Sequence, residues 1–137
     1  MKHLIAVAGM VLLASAGAAL AEGDIKKGEK VFKKCKACHQ VGEKAKNKVG
    51  PILNDVVGRK IAAGEGFKYS KAFIAKAEAE PEFVWDDANL DAYLTKPRDF
   101  IKKNKMSFAG LKKEKDRVNV IAYLKTFSAE EEKPAAE

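Results

Sequence analysis

Apolar positions in this chain recur mainly at helical spacing, and no stretch of useful length alternates as a strand would. Residues 22–34 read as a first helix, capped by Asp24, with Ile25, Val31 and Phe32 as its apolar stripe. Gly28 inside that helix costs about 1 kcal/mol relative to Ala. Close approach of another helix would offset the cost. Ser70 can cap a short helix from Lys71 to about Ala79, which Pro81 stops. Asp86 or Asp87 can cap the next, running to about Thr95 with Leu90, Tyr93 and Leu94 at helical spacing. Pro97 ends it and suits the first turn of another short helix through Lys102. The last helix spans about Lys113 to Phe127, where Val118, Ile121, Ala122 and Leu124 form one broad apolar face. The sum is a small all-α single domain with long loops at 42–50, 63–67 and 103–110. Loops of that kind are usually functional, and a large apolar cofactor around which they wrap would explain them.

The two ends of the chain differ from the middle. Lys2 and His3 precede an apolar run from Leu4 to Gly17, and Ala19-Leu20-Ala21 has the A-x-A form of a cleavage site. The run is too short for a membrane span. Residues 1–21 are therefore expected to be a signal peptide cut after Ala21, which exports the remaining 116 of 137 residues to the periplasm. Residues 22–127 form the folded domain, and 128–137 form an acidic tail expected to be disordered. The formal net charge is +7. Removing the leader takes away Lys2 alone and leaves 25 basic against 19 acidic side chains. A basic exported protein points to an acidic protein partner and away from nucleic acid.

The chemistry centres on Cys35-Lys36-Ala37-Cys38-His39, a C-x-x-C-H stretch. This is the attachment signature for c-type haem. Two thiols about one helical turn apart can each add to a porphyrin vinyl group, and the next residue then lies close to the ring centre. His39 becomes the proximal iron ligand. A thioredoxin-like dithiol would want a βαβ setting. A structural zinc site needs four ligands, but beyond the leader there is no other Cys or His. A plain disulfide would leave His39 idle. The second axial ligand follows by elimination. Met1, Met10 and His3 lie in the leader, so Met106 is the one thioether left to oppose His39. A Lys could bind only if deprotonated, which is costly at neutral pH. Thioether ligation favours ferrous iron, and two filled axial positions exclude oxygen and peroxide, which makes a carrier and not a catalyst. A peroxidase or a haem gas sensor would need an open or displaceable sixth position.

Further motifs accompany these residues: G-P-I-L at 50–53, G-R at 58–59, G-F-K-Y at 66–69, Trp85, A-Y-L-T-K-P at 92–97, K-M-S-F-A-G at 105–110 and I-A-Y-L-K at 121–125. Together with Gly28 and Phe32 they make residues 24–127 resemble the class I c-type cytochromes. Within that class they resemble the short, mitochondrial-like subgroup of bacterial cytochromes c2. The resemblance implies the cytochrome c fold, with helices and loops around one haem c covalently bound through Cys35 and Cys38. It implies that Gly28 and Phe32 pack the first helix across the last near Tyr123. It assigns the Pro51 carbonyl to His39 Nδ1 and gives Arg59, Tyr69 and Trp85 to a buried propionate. Tyr93 is placed at the Met106 sulfur, and Leu53, Leu94, Phe108 and Leu124 line the pocket. Asn104 stands where many relatives carry Thr, and either residue can donate to a propionate.

The resemblance further implies a monomeric one-electron carrier between a bc1-type complex and a photosynthetic reaction centre or terminal oxidase. Each band of lysines, Lys34 and Lys36, Lys44, Lys46 and Lys48, Lys102, Lys103 and Lys105, and Lys112 and Lys113, lies next to a residue expected to touch the haem. They are expected to ring the exposed haem edge and meet acidic docking faces. The acids Glu78, Glu80, Glu82, Asp86, Asp87 and Asp91 gather elsewhere and would give the molecule a dipole.

Overall fold

Side-chain capping sets where the first three helices begin. The computed structural model describes residues 22–129; the leader, its cleavage site and the tail beyond Ala129 lie outside the described residues. Asp24 accepts a hydrogen bond from the Lys27 N–H and starts α1, Ile25–Phe32. Ser70 does the same for the Phe73 N–H and starts α2, Lys71–Ala79. Asp86 accepts from the Asn89 N–H and starts α3, Asp87–Thr95. Pro97 opens α4, Pro97–Phe100, and α5 runs Glu114–Lys125. Helices α1, α4 and α5 are shorter than periodicity predicts. At the end of α1 the chain continues in tight turns through the cysteines, and α4 stops because Ile101 turns extended. The one β feature among the described residues is a bridge between Lys60 and Val84.

The crossing of α1 and α5 is the main helix contact, and Gly28 permits it. A Cβ at Gly28 would lie 2.0 Å from the Asn119 carbonyl oxygen and 2.8 Å from Tyr123 Cβ. Phe32 fills the space beside it, with its ring 5.4 Å from that of Tyr123. Asn119 Oδ1 also accepts the Asp24 N–H at 2.8 Å, so α5 holds the start of α1 directly. Gly28→Ala should destabilise the protein by about 3 kcal/mol, the upper part of the overpacking range, since the blocking atom is backbone and cannot rotate away. A denaturant midpoint that falls at unchanged slope would register this.

Burial corrects the helix faces in two places. Ile25 is 51% exposed, so the α1 stripe is Gly28, Val31 and Phe32. In α5 the most buried side chain is Val120, 2% exposed, which the periodic reading passes over. Helix α5 packs against both α1 and α3, so its apolar surface is wider than a single stripe. At the other end, Ser128 and Ala129 belong to the fold and not to the tail. The Ser128 N–H donates to the Lys125 carbonyl, and the Ala129 N–H donates to Asp55 Oδ1.

Candidate functional site

The cysteine segment continues α1 as a coil of tight turns. The Cys35 N–H donates to the Phe32 carbonyl, and the Cys38 and His39 N–H groups both donate to the Cys35 carbonyl. This coiling puts Cys35 and Cys38 on adjacent turns, both half-buried and free. Burial pushes the Cys35 thiol up to about 11, with a smaller contribution from neighbouring Cys38. The segment 50–53 then folds back over His39. The Gly50 N–H donates to the Cys38 carbonyl at 2.9 Å, and the Leu53 N–H donates to the Gln40 carbonyl at 3.1 Å. Gly50 lies directly on the imidazole, where a Cβ would stand 2.3 Å from His39 Cε1. Any other residue would push the ring aside.

His39 Nδ1 is 2.7 Å from the Pro51 carbonyl oxygen, which can only accept, so Nδ1 carries the proton. The lone pair is therefore on Nε2. Burial lowers the pKa of His39, the bond to Pro51 works against that, and the Arg59 charge adds to it. The imidazole is thus held neutral, with one nitrogen ready to bind a metal.

Met106 lies in the loop after α4, half-buried against the core. The buried Tyr93 on α3 donates its O–H to the Met106 Sδ at 3.2 Å. Burial raises the Tyr93 phenol far above its ordinary range, so the donor keeps its proton. Leu53, Leu94 and Phe108 pack half-buried against the same core, and Leu124 is part of it.

Arg59 and Tyr69 meet at another wall, to which Trp85 is joined through its backbone. The Arg59 guanidinium donates to the carbonyls of Ile52 and Asn54 at 3.2–3.4 Å, but its Nε is buried with no partner among the described residues. Tyr69 Oη accepts the Gly64 N–H at 2.9 Å, which leaves its own proton to give. A Cβ on Gly64 would lie 2.3 Å from the Tyr69 oxygen and 3.5 Å from an Arg59 nitrogen, which places the three together. Trp85 is clasped to Arg59 through the backbone, its N–H donating to the Arg59 carbonyl at 2.9 Å. Its ring lies 5.0 Å from Tyr93. A buried, unpartnered guanidinium N–H beside a free hydroxyl proton suits a carboxylate, so this wall fits a haem propionate. Half-buried paired thiols, a neutral imidazole and a thioether complete a donor set that fits haem c. Among the described residues no three His, Cys, Asp or Glu side chains gather as a metal site, which gives the zinc alternative no support.

Asn104 behaves differently from expectation. Its Nδ2 donates to the carbonyls of Pro97 at 2.9 Å and Ile101 at 2.7 Å, while its Oδ1 accepts the Met106 N–H at 2.8 Å. Both amide hydrogens thus already have acceptors, so none is left over for a propionate.

Several residues that hold the site together carry no signal in a single sequence. Asn47 donates to the Glu65 carbonyl and accepts the Ile52 N–H, tying two loops together. Asn54 exchanges two hydrogen bonds with the Gly42 backbone. Arg117, nearly buried on α5, pairs with Asp91 at 2.7 Å and donates to the carbonyls of Leu111 and Lys112. That bond set fixes the exit of the Met106 loop. Isolated Asn and Arg residues of this kind resemble ordinary surface residues until their partners are known.

Comparison with known proteins agrees with this geometry. The family model of cytochrome c matches residues 25–128. The chain is 45% identical over 130 residues to cytochrome c-554 of Methylosinus trichosporium, covering 95% of each. It is 48% identical over 122 residues to cytochrome c2 of Rhodomicrobium vannielii, covering 89% of this chain and 93% of the relative. The solved structure of cytochrome c2 from Rhodospirillum centenum superimposes with a TM-score of 0.71 at 43% identity, covering 77% of this chain and 99% of that one.

Proposed function

This chain belongs to the cytochrome c family, and from that premise we propose a periplasmic shuttle for single electrons whose haem iron is held by His39 on one side and Met106 on the other. It is an electron carrier and not an enzyme, and its cofactor is one covalent haem c attached through Cys35 and Cys38. The bound haem supplies the one-electron couple. The polypeptide does the rest.

The observation that carries the axial assignment is the 2.7 Å contact from His39 Nδ1 to the Pro51 carbonyl. It fixes the ring, selects the tautomer with a free Nε2 and makes that nitrogen a better donor. Gly50 sets the ring plane. On the other side Tyr93 orients the Met106 sulfur through its donated O–H. Anchored by the fold in this way, His39 and Met106 would hold a bound haem with little change between oxidation states, so that little reorganisation would oppose transfer. Arg59, Tyr69 and Trp85 would hold the inner propionate, while Phe108 and Leu53 would exclude water from the ring.

The leader supports export with cleavage after Ala21, and the basic surface supports transient docking to acidic faces of membrane redox complexes. The carrier would run, as a monomer, from a bc1-type complex to a photosynthetic reaction centre or a terminal oxidase. The purified protein should keep its haem through acid–acetone extraction, and its reduced spectrum should not change under carbon monoxide. Haem that extracts freely would refute attachment through Cys35 and Cys38. Rapid carbon monoxide binding would point to an enzyme or a gas sensor.

A further inference from the structure

The loop that presents Met106 has little helix to anchor it. Helix α4 is four residues long and has no side-chain cap at its start. Its last carbonyls need partners from beyond the helix. Lys103 sits at φ +64°, a left-handed conformation unfavourable for a residue with a Cβ. A loop with a strained residue three positions before the sulfur should open readily unless something closes it.

Asn104 supplies the closure. Its amide donates to the carbonyls of Pro97 and Ile101, at the two ends of the α4 turn, and its oxygen accepts the Met106 N–H two residues on. One side chain therefore caps α4 and forms an Asx turn into the ligand loop. The Asn104 N–H also donates to the Ile101 carbonyl at 3.3 Å, so residues 101–106 form one hydrogen-bonded unit. Tyr93 fixes the sulfur end of Met106, and Asn104 fixes its backbone end. We propose that Asn104 is the positioning residue that latches the Met106 loop and sets how often the sulfur leaves its place; this rests on the Met106 ligation proposed above. The latch also explains why Asn stands here. A threonine hydroxyl has one proton to donate and cannot serve two carbonyls while accepting the Met106 N–H at the same reach.

The test uses the haem-loaded ferric protein and imidazole as the incoming ligand, with uptake followed by stopped-flow absorbance. Asn104→Ala should speed imidazole uptake by about tenfold, the equivalent of one net hydrogen bond. In a Met106→Ala background the same change should have no effect on uptake, because there is no sulfur left to release. An equal acceleration in both backgrounds, or no acceleration in the parent, would overturn the latch. Met106→Ala alone leaving uptake at the parent rate would instead overturn the ligand assignment itself. Should Asn104→Ala fail to fold, Asn104→Ser keeps an acceptor for the Met106 N–H and should give an intermediate rate; a parental rate in that variant would count against the latch.

Discussion

Met106→Ala lowers the reduction potential and lets carbon monoxide reach the reduced iron. Thioether sulfur favours the ferrous state, so its loss removes a preference for the reduced form. Axial ligation spans roughly 0.8 V across haem proteins, and a fall on the order of 0.1 V or more is expected here. The chain offers no ready substitute. Among residues 22–137 there is no other Met and no second His. Tyr93 also loses the acceptor of its buried O–H, which adds about 1–3 kcal/mol of lost stability. Potentiometric titration and carbon monoxide difference spectra of parent and variant together check the result. An unchanged potential with no carbon monoxide binding would remove Met106 from the iron.

Electron transfer to the partner complex should slow steeply as salt is added. All ten flanking lysines, from Lys34 to Lys113, are exposed, and none pairs with an acid among the described residues. Val49, 78% exposed, follows Lys48 and precedes the glycine that rests on His39, and so adds an exposed apolar contact next to these lysines. Unpaired surface charge acts at long range, raising encounter rates by about 10–1000-fold, and a screening length of about 8 Å at physiological salt removes much of that. Lys105→Glu or Lys34→Glu should slow the second-order rate about tenfold at low salt.

Lys76 would be a poor control, because it is half-buried, pairs with Glu80 at 2.9 Å and sits over the rings of Phe83 and Phe100. Reversing its charge would disturb the fold. Lys26, exposed at the start of α1, is the cleaner comparison and should have little effect. Equal slowing by all three substitutions, or a rate indifferent to salt, would refute the docking ring. The acidic side is also weaker than sequence suggests. Glu80, Asp87 and Asp91 are engaged by Lys76, Lys125 and Arg117, which leaves less free charge for a dipole.

What could be read without a structure was the local chemistry. Asp24, Ser70 and Asp86 were legible as caps because a cap acts on a backbone N–H three residues away. Cys35 and Cys38 were legible because attachment requires a fixed short spacing, and His39 and Met106 stood out as the proposed iron ligands from that motif and from composition alone. Gly28 was legible as a cost that some packing had to offset, though its partner Asn119 lies 91 positions away and was not. The burial of Val120 over the expected stripe depends on α5 having two neighbours, and no one-helix pattern encodes that. The roles of Asn47, Asn54 and Arg117 likewise depend on which carbonyls and N–H groups the folded loops leave without helical partners. Asn104 shows the division within one side chain. The resemblance to the class I c-type cytochromes marked it as the residue beside Met106 where many relatives carry Thr. Only the tertiary structure decided that its amide spans Pro97, Ile101 and Met106, because three hydrogen bonds to separate backbone groups exist only once the chain has turned back on itself.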